Sequence, residues 1–188
     1  HSGLRDGENQ VLFRPHLIDA LQRLNGISEA DARAAYAELS TKSDNQEWLA
    51  LLRGGFSRPV SGQATEKTLH LIDFKTPANN LLTVTSQLYV KAEKSRIPDL
   101  VVHVNGIPLV VIEAKSPLVA KSKAGEAFDQ INQYERDIVR LFHSNLFNIV
   151  TDGTTVLYGA TGAKAQYYGY WRDPWPKAEE DFTSELQK

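Results

Sequence analysis

Along the first third of the chain the apolar residues fall at roughly helical spacing. Leu12, Leu17, Ile18, Leu21 and Leu24 recur on one face between residues 11 and 24, and Asn25-Gly26 supplies a stop, which predicts a first helix. Ser28-Glu29-Ala30-Asp31 has the form of an N-cap with an acidic first turn, and the Ala-rich run through Leu39 predicts a second helix. From Leu69 the pattern changes to short apolar, β-branched runs: LHLIDF, then LLTVTSQLYVKA, then PDLVVHVNGIPLVVIEAKSP at residues 98–117. Turn formers such as Pro77-Ala78-Asn79-Asn80 separate them. Residues 125–142 return to helical spacing, with Phe128, Ile131, Ile138, Leu141 and Phe142 on a core-facing stripe. LFNIVTD and TTVLYGA then meet at Asp152-Gly153, a hairpin signal. The order predicts an α/β fold: a mixed central sheet flanked by helices, with a helical N-terminal third, because the long helix returns the chain to a further strand.

Composition narrows this picture. A chain of 188 residues suffices for one well-buried core, and the reading is one domain over residues 1–171. The stretch from Arg172, RDPWPKAEEDF, is rich in Pro and charge and reads as the start of a linker. A formal net charge of −2 excludes a uniformly basic coat, so any nucleic-acid binding must come from a local patch. Cysteine is absent, which removes disulfides, thiolate metal sites and a Cys nucleophile. Without an apolar run of membrane-spanning length or a signal-like N-terminus, the expectation is a soluble, cytoplasmic protein with no membrane partner. Gly159-Ala160-Thr161-Gly162-Ala163-Lys164 has the wrong spacing for a phosphate loop, so this chain is not expected to bind ATP itself. The five histidines are scattered without zinc-site spacing, and His103 reads as a partly exposed strand residue.

The chemistry concentrates in residues 98–117. Asn105-Gly106 is a strong turn between two apolar strands, so Asp99 and Glu113 approach each other across an antiparallel pair. With a strict two-residue loop they fall on opposite faces; with a three-residue loop, or one bulge, they pair directly. Glu113 and Lys115 are neighbours in either register. Two readings follow from these residues alone. In one, Glu113 and Lys115 form an exposed strand-end ion pair and Asp99 caps a turn. In the other, the two carboxylates hold a divalent cation that offsets their repulsion and desolvation, with Lys115 placed to act on a water or a phosphate.

The pattern P-D, thirteen residues, then E-A-K resembles that of the PD-(D/E)xK nuclease superfamily. Gln130 and Tyr134, four apart in FDQINQYERDI and so on one helical face, match the Q-x-x-x-Y element that accompanies it in one branch. Three separated blocks extend the likeness: LIDFKTPANN, SRIPDLVVHVNGIPLVVIEAKSP and AFDQINQYERDIVRLFHSNLFNIVTDG. Over roughly residues 69–171 they resemble the N-terminal nuclease region of the restriction subunit of type I restriction enzymes, the HsdR family. The resemblance implies a restriction-endonuclease-like fold that cuts double-stranded DNA with Mg²⁺, Mn²⁺ being a substitute. It implies metal binding by Asp99 and Glu113, a catalytic Lys115, and support or DNA contact from Gln130 and Tyr134. It further implies ATP use only through downstream motor domains, and assembly with methyltransferase and specificity subunits. An added acidic ligand from an early helix is frequent in the superfamily; Glu8 is the candidate, with Glu29 and Glu38 competing.

Between residues 91 and 123 the balance is basic: Lys91, Lys94, Arg96, Lys115, Lys121 and Lys123 against Glu93, Asp99 and Glu113. Lys121 and Lys123, in the segment leading into the long helix, are the expected phosphate-gripping residues. Two other functions fit the same residues. One is a stand-alone repair or resolvase nuclease of the superfamily; the other is a catalytically silent module that docks DNA or a partner.

Overall fold

The computed structural model describes residues 3–116, 124–153 and 155–171. Three helices open the fold. Helix α1 (Arg14–Asn25) carries a proline in its first turn and is closed by Gly26, whose left-handed backbone (φ 59°) lets its N–H reach the Gln22 carbonyl at 2.7 Å. Helix α2 (Glu29–Leu39) starts as predicted, with Ser28 Oγ accepting the Asp31 N–H. Helix α3 (Asn45–Gly54) is an addition to the sequence reading. Asp44 caps it by accepting the Glu47 N–H at 2.8 Å, and it buries Trp48 and Leu52.

Two short strands, β1 (Phe56–Arg58) and β2 (Lys67–Leu69), pair antiparallel in a small sheet of their own. The predicted strand LHLIDF therefore ends at Leu69. Beyond it Asp73 accepts the backbone N–H groups of Lys75 and Thr76, and Asn80 bonds the Asp73 backbone on both sides, so local side-chain bonds displace a ladder.

The main sheet has six strands: β3 (Leu82–Ser86), β4 (Leu100–Val104), β5 (Ile107–Ala114), β6 (Phe147–Thr151), β7 (Val156–Ala160) and β8 (Gly169–Tyr170), paired in that order. β5 and β6 are parallel, joined through helix α4 (Ala124–Asp137), and the other pairs are antiparallel, which makes the sheet mixed as expected. The predicted long helix stops at Asp137. Ile138 leaves helical geometry (φ −124°, ψ 50°) and a 3₁₀ turn, Val139–Phe142, follows; this break allows Ile138, Leu141 and Phe142 all to bury while Val139 stays exposed.

The core is in two parts. One gathers α1, α2, α3 and β2 around Ile107 and Leu109 of the central hairpin. The other lies under α4, where Ala127, Ile131 and Tyr134 meet Val101, Val111 and Val150. Burial alternates along β4 and β6 so that one sheet face lies under α4, while Leu100, Val102, Ile112 and Ile149 on the opposite face are only half-buried.

The β4–β5 turn joins the two parts. Asn105 and Gly106 both have positive φ (52° and 81°), as a two-residue hairpin requires. The buried Asn105 amide donates to the Leu71 carbonyl and Asn80 Oδ1 and accepts the Leu81 N–H, and the Gly106 carbonyl accepts the Phe13 N–H at 2.8 Å. The same packing corrects the expectation for His103. Its ring is fully buried and stacked on Phe13, with centroids 3.9 Å apart, because the start of α1 lies across the hairpin. Neither ring nitrogen has a hydrogen-bond partner. Burial pushes the imidazole down to about 4, offset only in part by the nearby Val11 and Val101 backbone, which lies outside hydrogen-bond geometry.

Two predictions follow from this packing. A Cβ on Gly106 would stand 2.5 Å from the Phe13 carbonyl oxygen at a positive φ, so Gly106→Ala lowers stability by about 2 kcal/mol or more in urea titration. Because His103 takes its proton more readily unfolded than folded, the stability it contributes is full at neutral pH and lost as pH falls from 6.5 towards 4. That loss is on the order of 3 kcal/mol, and it is absent in His103→Phe when the two proteins' stabilities are compared across this range.

Candidate active site

The turn uses a strict two-residue loop, pairing Val104 with Ile107, and the register then shifts between Val102 and His103. Pro108 faces His103 and Val110 faces Val102, leaving Leu109 as the extra residue of a bulge. Without the bulge Asp99 and Glu113 fall on opposite faces. With it Leu100 pairs with Ile112, and the next row brings Asp99 level with Glu113 at the sheet margin. One Asp99 oxygen accepts the Ala114 N–H at 2.9 Å, which holds that carboxylate against the end of β5. Lys115 is fixed there too, its N–H donating to the Thr151 carbonyl of β6.

Glu113 has no solvent exposure. Lys115 Nζ donates to its Oε1 at 2.7 Å, and the Tyr134 hydroxyl donates to its Oε2 at 3.1 Å. Lys115 Nζ also donates to Gln130 Oε1, and Gln130 Nε2 donates to the Tyr134 oxygen. These bonds close a ring of four side chains, two from β5 and its end and two from one face of α4. Burial pushes the Glu113 carboxyl up from its ordinary value; the Lys115 bond opposes this and the neighbouring Asp99 charge adds to it. Burial likewise raises the Tyr134 phenol, which stays a protonated donor.

The five residues expected at the site, Asp99, Glu113, Lys115, Gln130 and Tyr134, thus come together at one margin of the sheet. An exposed strand-end ion pair does not describe them, because the carboxylate is buried. None of the early acidic candidates joins the pair: among the described residues no three Asp, Glu or His side chains converge closely enough to hold an ion. Glu29 pairs with Arg33, Glu38 lies 3.8 Å from Arg58, and Glu8 is exposed. Lys121 and Lys123 lie outside the described residues. Of the remaining basic residues Arg96 is committed elsewhere, its Nε and Nη2 both donating to Asp137 Oδ2 near the end of α4. That pair ties the segment leading to Asp99 onto the helix carrying Gln130 and Tyr134, and no spacing in the sequence announced it.

The donor set fits a hard divalent cation. Two carboxylates on adjacent strands are all oxygen, and Mg²⁺ is commonly held by one or two carboxylates, keeping water and substrate oxygens for its remaining positions.

One prediction concerns Glu113. A carboxyl whose folded value is raised destabilises the fold as pH rises above its ordinary 4.5, since the native state then holds the proton more tightly than the unfolded chain. In EDTA the difference in melting temperature between Glu113→Gln and the wild type is therefore expected to shift in the variant's favour as pH rises from 4.5 to 7. If the carboxylate pair holds Mg²⁺, added Mg²⁺ raises the melting temperature of the wild type and not that of the variant.

Comparison with known proteins places this geometry in context. The family described as type I restriction enzyme R protein N terminus matches residues 1–167. The type I restriction enzyme HindI endonuclease subunit of Haemophilus influenzae is 32% identical over 86% of the chain. A Methanocaldococcus jannaschii protein carrying the name of the MjaVIIIP endonuclease subunit of a type I restriction enzyme is 34% identical over 96% of it. The chain spans only 16% and 19% of those two relatives' lengths. No helix among the described residues is long and apolar enough to cross a membrane.

Proposed function

The chain belongs to the family of type I restriction enzyme R protein N termini, and from that premise we propose that it is the nuclease module of a restriction subunit, cleaving double-stranded DNA with Mg²⁺ between Asp99 and Glu113. The observation that carries this reading is the buried Glu113, level with Asp99 and bonded to Lys115 and Tyr134. A fully buried carboxylate next to a second one is costly, and a fold retains it where the charge is used.

Each residue then has a task. Asp99 and Glu113 supply the oxygen ligands, and Mn²⁺ would fit the same set. The ion, when bound, supplies Lewis-acid polarisation of the phosphate and makes a water more acidic. Lys115, a fifth exposed and held between two acceptors, presents its ammonium to the water or to charge developing on the phosphate. Gln130 aims Lys115, and Tyr134 holds Glu113 in place. Lys121 and Lys123, six and eight positions after Lys115 in the sequence, grip phosphates of the same DNA. ATP-driven motion and target recognition belong to other parts of the assembly: motor domains of the same subunit, and methyltransferase and specificity subunits. The protein works in the cytoplasm, where that assembly meets DNA.

In the assembled enzyme, Asp99→Ala, Glu113→Ala and Lys115→Ala are each expected to reduce cleavage at least about 100-fold while ATP-driven translocation continues at its normal rate. Wild-type cutting by any one of them removes the role given to that residue.

A further inference from the structure

Two non-glycine residues among those described have positive φ. Asn105 is accounted for by the hairpin turn. Gln87 (φ 49°) lies outside any two-residue turn: it ends β3 in a bend after which Leu88 and Val90 enter the core, and glutamine has none of the local side-chain bonding that lets Asn or Asp tolerate this conformation. Its place is informative. Ser86 pairs with Leu100 and Leu100 with Ile112, so the next row across the sheet is Gln87, Asp99 and Glu113, and the Gln87 N–H donates to the Asp99 carbonyl at 2.8 Å. Its side chain is exposed, and its amide has no hydrogen bond among the described residues, whereas Gln130 and Tyr134 are locked into the ring. A backbone outlier, an unoccupied amide and a position level with both carboxylates coincide at one residue.

We propose that Gln87 is a substrate-contacting residue, donating its amide N–H to a non-bridging phosphate oxygen of the DNA strand beside the carboxylate pair. This rests on the nuclease reading above. Glycine at this position relieves the backbone and alanine does not, while both remove the amide.

The test compares Gln87→Gly, Gln87→Ala, Asp99→Ala, Glu113→Ala and Lys115→Ala in the assembled enzyme for cleavage rate. Urea stability and Mg²⁺ affinity by calorimetry are measured on the same variants. Both Gln87 variants are expected to cut about 10-fold or more slowly, with unchanged Mg²⁺ affinity, although Gln87→Gly is the more stable of the two. A loss that follows the amide and not the stability is what a contact requires and a structural role does not. Wild-type cutting by both Gln87 variants, with Lys115→Ala inactive, overturns this inference alone. Slow cutting accompanied by weakened Mg²⁺ binding overturns it as well, making Gln87 a support for Asp99. If Asp99→Ala, Glu113→Ala and Lys115→Ala all cut normally alongside them, the nuclease reading falls and this contact falls with it.

Discussion

The closed ring of Glu113, Lys115, Gln130 and Tyr134 is the interaction on which the site depends. A carboxylate with no access to water would ordinarily take up a proton or be replaced. Here both of its oxygens are bonded, one to an ammonium and one to a phenol, and the ammonium and the phenol are joined through a single amide. No member can be turned without disturbing two others. Four side chains with many rotamers between them are thereby held in one arrangement before any ligand arrives, which lowers the ordering cost of binding. The ring also fixes α4 on the sheet at a defined rotation, since Gln130 and Tyr134 are one turn apart on its inner face.

Asp99 reaches this ring through a separate device, the bulge at Leu109. A strand has period two, so a single extra residue decides whether two side chains share a face or oppose each other. The Asn105-Gly106 turn is held by Asn80, Leu71 and Leu81 and by the start of α1, so its two-residue register is firmly set. The bulge then corrects parity between turn and site. Leu109 is used twice: as the inserted residue it re-aims Glu113, and as a buried side chain it joins the core beneath α1, α2 and α3.

Much of this was legible in the sequence because it is encoded locally. The hairpin dipeptide, the thirteen-residue interval, the alternate spacing of Glu113 and Lys115 and the helical spacing of Gln130 and Tyr134 are short-range patterns, and the five residues they select are the five that converge. What was not legible is decided by tertiary packing. The choice between loop register and bulge depends on what fills the core under Leu109. The end of α4 at Asp137 follows from burying Ile138, Leu141 and Phe142 together, although their spacing reads as helix. His103 is buried because Phe13, ninety residues earlier, stacks on it, and a polar residue in a strand carries no mark of that. Helix α3 is encoded locally too, in the Asp44 cap and the apolar spacing through Trp48 and Leu52.

The charges at the site add a final constraint. Asp99 and Glu113 contribute two negative charges and Lys115 one positive, so the protein's own residues leave a net charge of minus one, the sign of a phosphodiester. At a partly buried margin this repulsion is stronger than it would be in water. On the nuclease reading the carboxylate pair therefore cannot receive a DNA phosphate closely by itself, and a divalent cation reverses the local sign to plus one. The cation is then a condition for seating the scissile phosphate as well as for cutting it. On the same reading, discrimination between an empty and a loaded site rests first on charge, and because Glu113 is fully buried with both oxygens bonded, a cation reaches it only where the Lys115 or Tyr134 bond gives way.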